Sequence, residues 1–107
     1  MIENLTFKDF QSKVIEALCP VIVYFTATWD TIGIQTRNYL ETVNESNLHI
    51  VKVYSVDYDT ERELVEKFSV RNLPDIYAFK NGRLVGAAIH CTNDNELSLL
   101  FGGNFSC

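Results

Sequence analysis

Apolar residues recur along this chain in two rhythms, one helical and one strand-like, and the places where the rhythm changes mark out the elements. Phe7, Phe10, Val14 and Leu18 return every three or four residues, the spacing of one helix face. Thr6 followed by Asp9 supplies a capping pattern at the start, and Pro20 keeps the helix from running on. Val21 to Phe25 is five consecutive apolar residues, rich in β-branched and aromatic side chains. Such a run is too short for a helix and suits a strand buried on both faces, which predicts the centre of a sheet here.

After a break at 27–31, Ile34, Leu40 and Val43, with Tyr39 alongside, predict a second helix ending in the polar cluster Asn44-Glu45-Ser46-Asn47. Ile50 to Val56 predicts another strand. Thr60 with Glu63 forms a capping-box pattern ahead of Leu64, Val65 and Phe68, and so a third helix. Ile76 to Phe79 and Leu84 to Ile89 flank Asn81-Gly82, a pair whose ease in left-handed backbone conformations makes it the strongest hairpin signal in the chain. Asn93 with Glu96 caps a last short helix carrying Leu97, Leu100 and Phe101, which Gly102-Gly103 stop. An alternating helix and strand order followed by an antiparallel pair predicts an α/β domain. No repeat, low-complexity tract or linker divides its 107 residues, so the whole chain reads as one domain with a flexible tail over 102–107.

Composition narrows the functional classes. With 47% hydrophobic and 12% aromatic residues, the domain buries roughly 60–70% of its unfolded surface without staples. The formal net charge of −5, from 14 acids against 9 bases without long runs, argues against binding to nucleic acid or anionic lipid. No apolar stretch approaches a membrane span, and Met1-Ile2-Glu3-Asn4 is not the opening of a signal peptide, so a cytoplasmic or nuclear location is expected. Cys19, Cys91 and Cys107 are an odd count without a close pairing motif, and no Cys/His spacing suits zinc. Neither a metal nor another cofactor is implied.

Four stretches in this order carry a resemblance to a known family over about residues 5–101. They are Val21-Ile22-Val23-Tyr24-Phe25-Thr26-Ala27-Thr28-Trp29, Val51-Lys52-Val53 through Val56-Asp57, Val70-Arg71-Asn72-Leu73-Pro74, and Phe79-Lys80-Asn81-Gly82. The chain resembles the thioredoxin family. That resemblance implies the thioredoxin fold, a central mixed β-sheet flanked by helices on both faces with an antiparallel C-terminal hairpin. It also implies a site beside Trp29 and a cis peptide at Pro74.

The family's chemistry needs a Cys-x-x-Cys pair directly after that tryptophan, at a helix N-terminus that stabilises the attacking thiolate. Here Asp30 stands at the position of the nucleophilic cysteine and Gly33 at that of the resolving one. A carboxylate cannot attack a disulfide sulfur and be released by a second thiol, which excludes dithiol exchange at this site. By the same resemblance the family's buried acid corresponds to Tyr24, and its neighbouring lysine to Lys52.

What is left reads as a binding groove. Asp30 is either a fixed anion facing a basic or hydrogen-bond-donating partner, or a plain helix N-cap. Trp29, Ile32, Ile34 and Leu73 either form an apolar patch rimmed by Asp30 and Asp75, or fold partly inward. Family members present backbone groups beside the residue matching Pro74 to an extended peptide, a mode that needs no cysteine; a protein or peptide partner is therefore expected. His90 and Cys91 correspond to the other wall of the groove. Cys91 is the one remaining candidate for chemistry, as a monothiol or with His90 and Asp30 as a cysteine-histidine-acid set, against the plainer reading of an inert cysteine. Cys19 is expected to be a packed core residue and Cys107 an exposed one.

Overall fold

The computed structural model describes residues 2–27, 34–45, 51–70 and 75–103. Among these, five strands form one mixed sheet and four helices cover it. In chain order they are β1 (Glu3–Asn4), α1 (Phe7–Phe10), β2 (Val21–Thr26), α2 (Ile34–Glu45), β3 (Lys52–Asp57), α3 (Arg62–Phe68), β4 (Asp75–Lys80), β5 (Arg83–Ala88) and α4 (Asp94–Leu100). The sheet order is β1-β3-β2-β4-β5. β3 runs parallel to β1 and β2, whereas β4 is antiparallel to both β2 and β5.

The apolar run at 21–25 occupies the middle of the sheet, as its composition predicts, and its alternation divides the core in two. Val21, Val23 and Phe25 face one layer, with Phe10, Val14, Leu64, Val65 and Phe79. Ile22 and Tyr24 face the other, with Leu40, Val43, Leu97 and Leu100. α1 and α3 thus cover one face, and α2 and α4 the opposite one. Phe68 gathers the first layer: its ring stacks on Tyr77 at 4.9 Å and meets Phe10, Phe25 and Phe79 edge-on, the arrangements that aromatic quadrupoles favour.

Several local expectations are revised. α1 widens after Phe10 into a π-helical turn over Gln11–Ile15 and ends there, so Leu18 stands 87% exposed instead of continuing the buried stripe. Thr6 does not cap the helix backbone; its hydroxyl donates to the Asp9 carboxylate at 3.2 Å. The Thr60/Glu63 box does not form either, because α3 starts at Arg62 with Glu61 as its cap residue. Asn93, by contrast, accepts the Glu96 amide at 2.9 Å, while the Glu96 carboxylate reaches back to the Thr92 amide at 2.9 Å. Cys19 is half-buried, not a core residue, and is disulfide-bonded.

β1 went unsignalled in the sequence, being two residues long with both side chains exposed. Tertiary contacts define it. The Leu5 amide donates to the Ser55 carbonyl at 2.7 Å, Leu5 is fully buried, and Glu3 pairs with Lys13 and, at 3.8 Å, with Lys52.

Two glycines of the hairpin are fixed by close approach. Asn81 and Gly82 have φ of 54° and 77°, both left-handed as a tight two-residue hairpin requires. A Cβ on Gly82 would stand 2.5 Å from the Ile15 carbonyl oxygen. At Gly86 a Cβ would lie 2.2 Å from the Leu100 carbonyl oxygen, so α4 docks on β5 backbone to backbone. Gly86→Ala is therefore expected to destabilise the fold by about 1–3 kcal/mol through overpacking. Urea denaturation checks this, and a midpoint equal to that of the parent chain would contradict the α4 docking.

Candidate functional site

The ends of β2 and β4 lie side by side, with Phe25 paired to Asp75. The chain leaves β2 at Thr26 and Ala27 to enter α2 at Ile34, and enters β4 at Asp75. The segments 28–33 and 71–74 therefore join the sheet at this one end. Trp29, Asp30, Ile32, Gly33, Leu73 and Pro74 lie outside the described residues. Ile34, Asp75, His90 and Cys91 lie within them.

Ile34 opens α2 and is 54% exposed. The buried stripe of that helix is Thr36, Leu40 and Val43, so Ile34 stands off it and belongs to the surface. A small polar pocket of about 150 Å³ opens near the ends of β2 and β3, lined by Asn4, Thr26, Ala27, Arg37, Ser55 and Asp57.

Asp75 is half-buried, and burial raises its carboxyl above the ordinary aspartate value, while hydrogen bonds from Tyr77 and the Ile76 backbone pull the other way. The Tyr77 hydroxyl donates to Asp75 at 2.8 Å, with the Phe68 carbonyl 3.4 Å from the same oxygen. Its own phenol is pushed up to about 12, by burial first and then by Asp75. Tyr77 was legible only as a residue packing beside the sheet. Its spacing of two from Asp75 in a strand places both on one face, and that signal identifies it as the residue that orients the carboxylate.

Cys91 does not line the wall of a groove with its side chain. It is fully buried among Leu40, Leu97 and Leu100, and its amide donates to the buried Thr36 hydroxyl at 3.3 Å. Burial, reinforced by the Glu96 charge, pushes its thiol up to about 12. His90 stands 61% exposed, with Nδ1 3.0 Å from Glu96 Oε2. The other Glu96 oxygen accepts from the Thr92 amide and hydroxyl and from Asn93. The histidine thus faces a carboxylate at the surface while the neighbouring thiol is sealed in the core, so a cysteine-histidine pair does not form. Thr36 and Tyr39, which donates to Asp94, tie α2 to the 90–94 segment; neither carried a functional signal in the sequence.

The proposed pairing of Tyr24 with Lys52 also fails. Tyr24 is buried in the layer of Val53, whereas Lys52 lies over the Tyr54 ring at 5.4 Å and reaches Glu3. Alternation along β3 puts Lys52 and Val53 on opposite faces, so the lysine is on the wrong side of the sheet. Among the described residues no group of three or more His, Cys, Asp or Glu side chains is placed to hold a metal ion.

The "Thioredoxin" family model matches residues 1–100. The chain belongs to the thioredoxin family. A thioredoxin of Rickettsia bellii is 28% identical over 97 residues, covering 91% of this chain and 92% of its own length. Thioredoxin C-2 of Corynebacterium nephridii is 28% identical over 103 residues, covering 96% and 95%. The solved structure of a Malassezia sympodialis thioredoxin superposes with a TM-score of 0.78 at 19% identity, covering 95% of this chain and 89% of that one. The fold expectation is met: an α/β thioredoxin fold with a mixed five-stranded sheet. Among the described residues no helix is long and apolar enough to cross a membrane. Against the thioredoxin background, the three cysteines of this chain stand at 19, 91 and 107, and the segment between β2 and α2 contains none.

Two outcomes follow. The buried thiol of Cys91 is expected to be inert to Ellman's reagent in the folded protein and to react fully once the chain is unfolded in guanidinium; fast native labelling of Cys91 would contradict the burial. For Asp75, a folded pKa above the unfolded one makes its stability contribution largest below the unfolded value and progressively lost as pH rises through the folded value. Tyr77→Phe removes a bond that lowers this pKa. Carboxyl NMR titration is expected to place Asp75 above ordinary aspartates in the parent chain and higher still in the variant, and a downward move in the variant would refute the role given to Tyr77.

Proposed function

We propose that this thioredoxin-family protein does not exchange dithiols and binds a protein or peptide segment at the end of the sheet where β2 leaves, β4 enters and residues 89–91 pass. The observation that carries this reading is the distribution of sulfur. Asp30 and Gly33 occupy the positions where the family's reaction needs two cysteines, and Cys91 is buried with a strongly disfavoured thiolate. Disulfide exchange begins with an accessible thiolate, and the surroundings of Cys91 oppose both accessibility and ionisation. The same surroundings weigh against the competing reading of a monothiol enzyme.

Support for binding comes from what surrounds that end. Ile34 and Ile89 are 54% and 62% exposed, apolar surface of the kind that marks interaction sites. Asp75, and Asp30 by resemblance, add negative charge, which favours basic or polar extended segments. Trp29, Ile32, Leu73 and Pro74 complete the proposed contact set, with His90 at its edge. A cytoplasmic location belongs to the same proposal.

The test is insulin-disulfide reduction with dithiothreitol, run beside an ordinary thioredoxin. No rate above the reductant alone is expected. A clear rate overturns the redox-inactive reading, and its loss in Cys91→Ser would assign it to that thiol. Binding is checked by ¹H–¹⁵N titration with an extended lysine-containing peptide. Perturbation of the Ile34, Asp75 and His90 amides is expected, with the effect lost in Ile34→Glu; shifts confined to other residues would place the contact elsewhere.

A further inference from the structure

Among the described residues strand β5 forms the outer edge of the sheet and pairs only with β4, which leaves a row of main-chain donors and acceptors along its far side. Arg83, Leu84, Val85, Ala87, Ile89 and His90 are all exposed along it. Seven large apolar residues stand exposed among those described, and four of them, Leu84, Val85, Ile89 and Leu99, lie on β5, just past it or on the flank of α4. Between strand and helix runs a groove of about 370 Å³, lined by Gly86 to His90 in unbroken succession together with Glu96, Leu99 and Leu100. Its strand side is made of Gly86, Ala87 and Ala88; the Leu100 carbonyl already meets Gly86, and Ala87 is exposed. Ala78 pairs with Gly86 and Phe79 with Leu84, so Val85 is a bulged residue on β5, and the stretch Gly86 to Ala88 beyond it stays in register with β4.

Charge along this edge is unequal. The hairpin end carries Lys80 and Arg83, and Arg83 forms no ion pair among the described residues, whereas the far end carries Asp94 and Glu96. We infer that the β5 edge is a self-association surface, on which a second copy of this chain pairs antiparallel about a two-fold axis near Ala87. That symmetry is what the charges select. Reversing the second strand brings its acidic end to the basic end of the first, at both ends simultaneously, as an isologous contact requires. A parallel arrangement would set like charges together. Centred on Ala87, the pairing places Gly86 opposite the second copy's Ala88 across the regular part of the strand, with Arg83 directed toward the second copy's Glu96. Main-chain bonds would extend the sheet across both copies, and Leu99 would be covered from the groove side. The surface is separate from the proposed peptide site except at residues 89–90, so the two readings can fail independently.

Light scattering on a sizing column, with covalent dimers excluded by non-reducing electrophoresis, reads the result. The mass is expected to rise with concentration from 12.2 kDa toward twice that value. Ile89→Glu, at an exposed position outside the strand, is expected to hold the chain monomeric with its thermal melt unchanged. Ala87→Cys is expected to give a disulfide-linked dimer on mild oxidation, since opposed residues of an antiparallel pair lie within disulfide reach, whereas Ser12→Cys is not. A parent chain that stays monomeric up to ~1 mM overturns the proposal, because even a millimolar contact is populated there. A dimer abolished by Ile34→Glu and untouched by Ile89→Glu also overturns it, by moving the contact to the other end of the sheet.

Discussion

Strand β2 has to satisfy two cores at once. Its odd-numbered residues 21, 23 and 25 and its even-numbered residues 22 and 24 are all at most 2% exposed, and every other layer is organised by that division. The parallel β3 and the antiparallel β4 flank it with matching alternation. No polar face is available for the strand to turn outward, so a one-residue slip would exchange the two cores wholesale. Register is correspondingly well specified, and with it the meeting of Phe25 and Asp75 that brings the exit of β2 and the entry of β4 to one end of the sheet. Placement of the candidate site is thus a by-product of burying a hydrophobic strand on both sides.

Tyr24 and Cys91 belong to the same buried layer. At one position the resemblance expects a titratable acid and finds a phenol. At the other, the chain has a thiol and buries it. The layer under the site is therefore poor in groups able to carry a proton or an electron pair near neutral pH, and rich in aliphatic contacts. Asp75, on the adjoining strand, is a titrating group at that end of the sheet, and its partner Tyr77 belongs to the opposite layer, with Phe25 and Phe68.

How much of this was legible follows from how local each signal is. The 21–25 run, the Asn81-Gly82 turn and the Asn93/Glu96 cap are fixed by neighbouring residues, and the sequence alone located them. Leu18 was misread because the helix widens to a π turn near Ile15, ahead of the proline that was taken as its limit. Lys52 was placed beside Tyr24 by likeness of residue type, where counting alternation along β3 from Val53 would have put it on the opposite face. Cys91 followed a segment of exposed residues and looked like surface; what buries it is α2, 55 residues earlier in the chain through the Thr36 contact, and a distance of that kind leaves no trace in a local pattern. Trp29, Asp30 and Pro74 remain placed by resemblance alone.

The brevity of β1 has a consequence for how the sheet comes apart. Only two residues pair with β3, and the attachment rests on Leu5, the Leu5 to Ser55 bond and the exposed ion pairs of Glu3. Exposed pairs contribute about 0–1 kcal/mol each and weaken as salt rises, so among the described strands this one is held by the fewest interactions, the condition for local opening below the free energy of global unfolding. Its departure does not breach the β2 core. It uncovers β3, converting an inner strand into a second free border, and the sheet then becomes a ribbon that can be extended from either side.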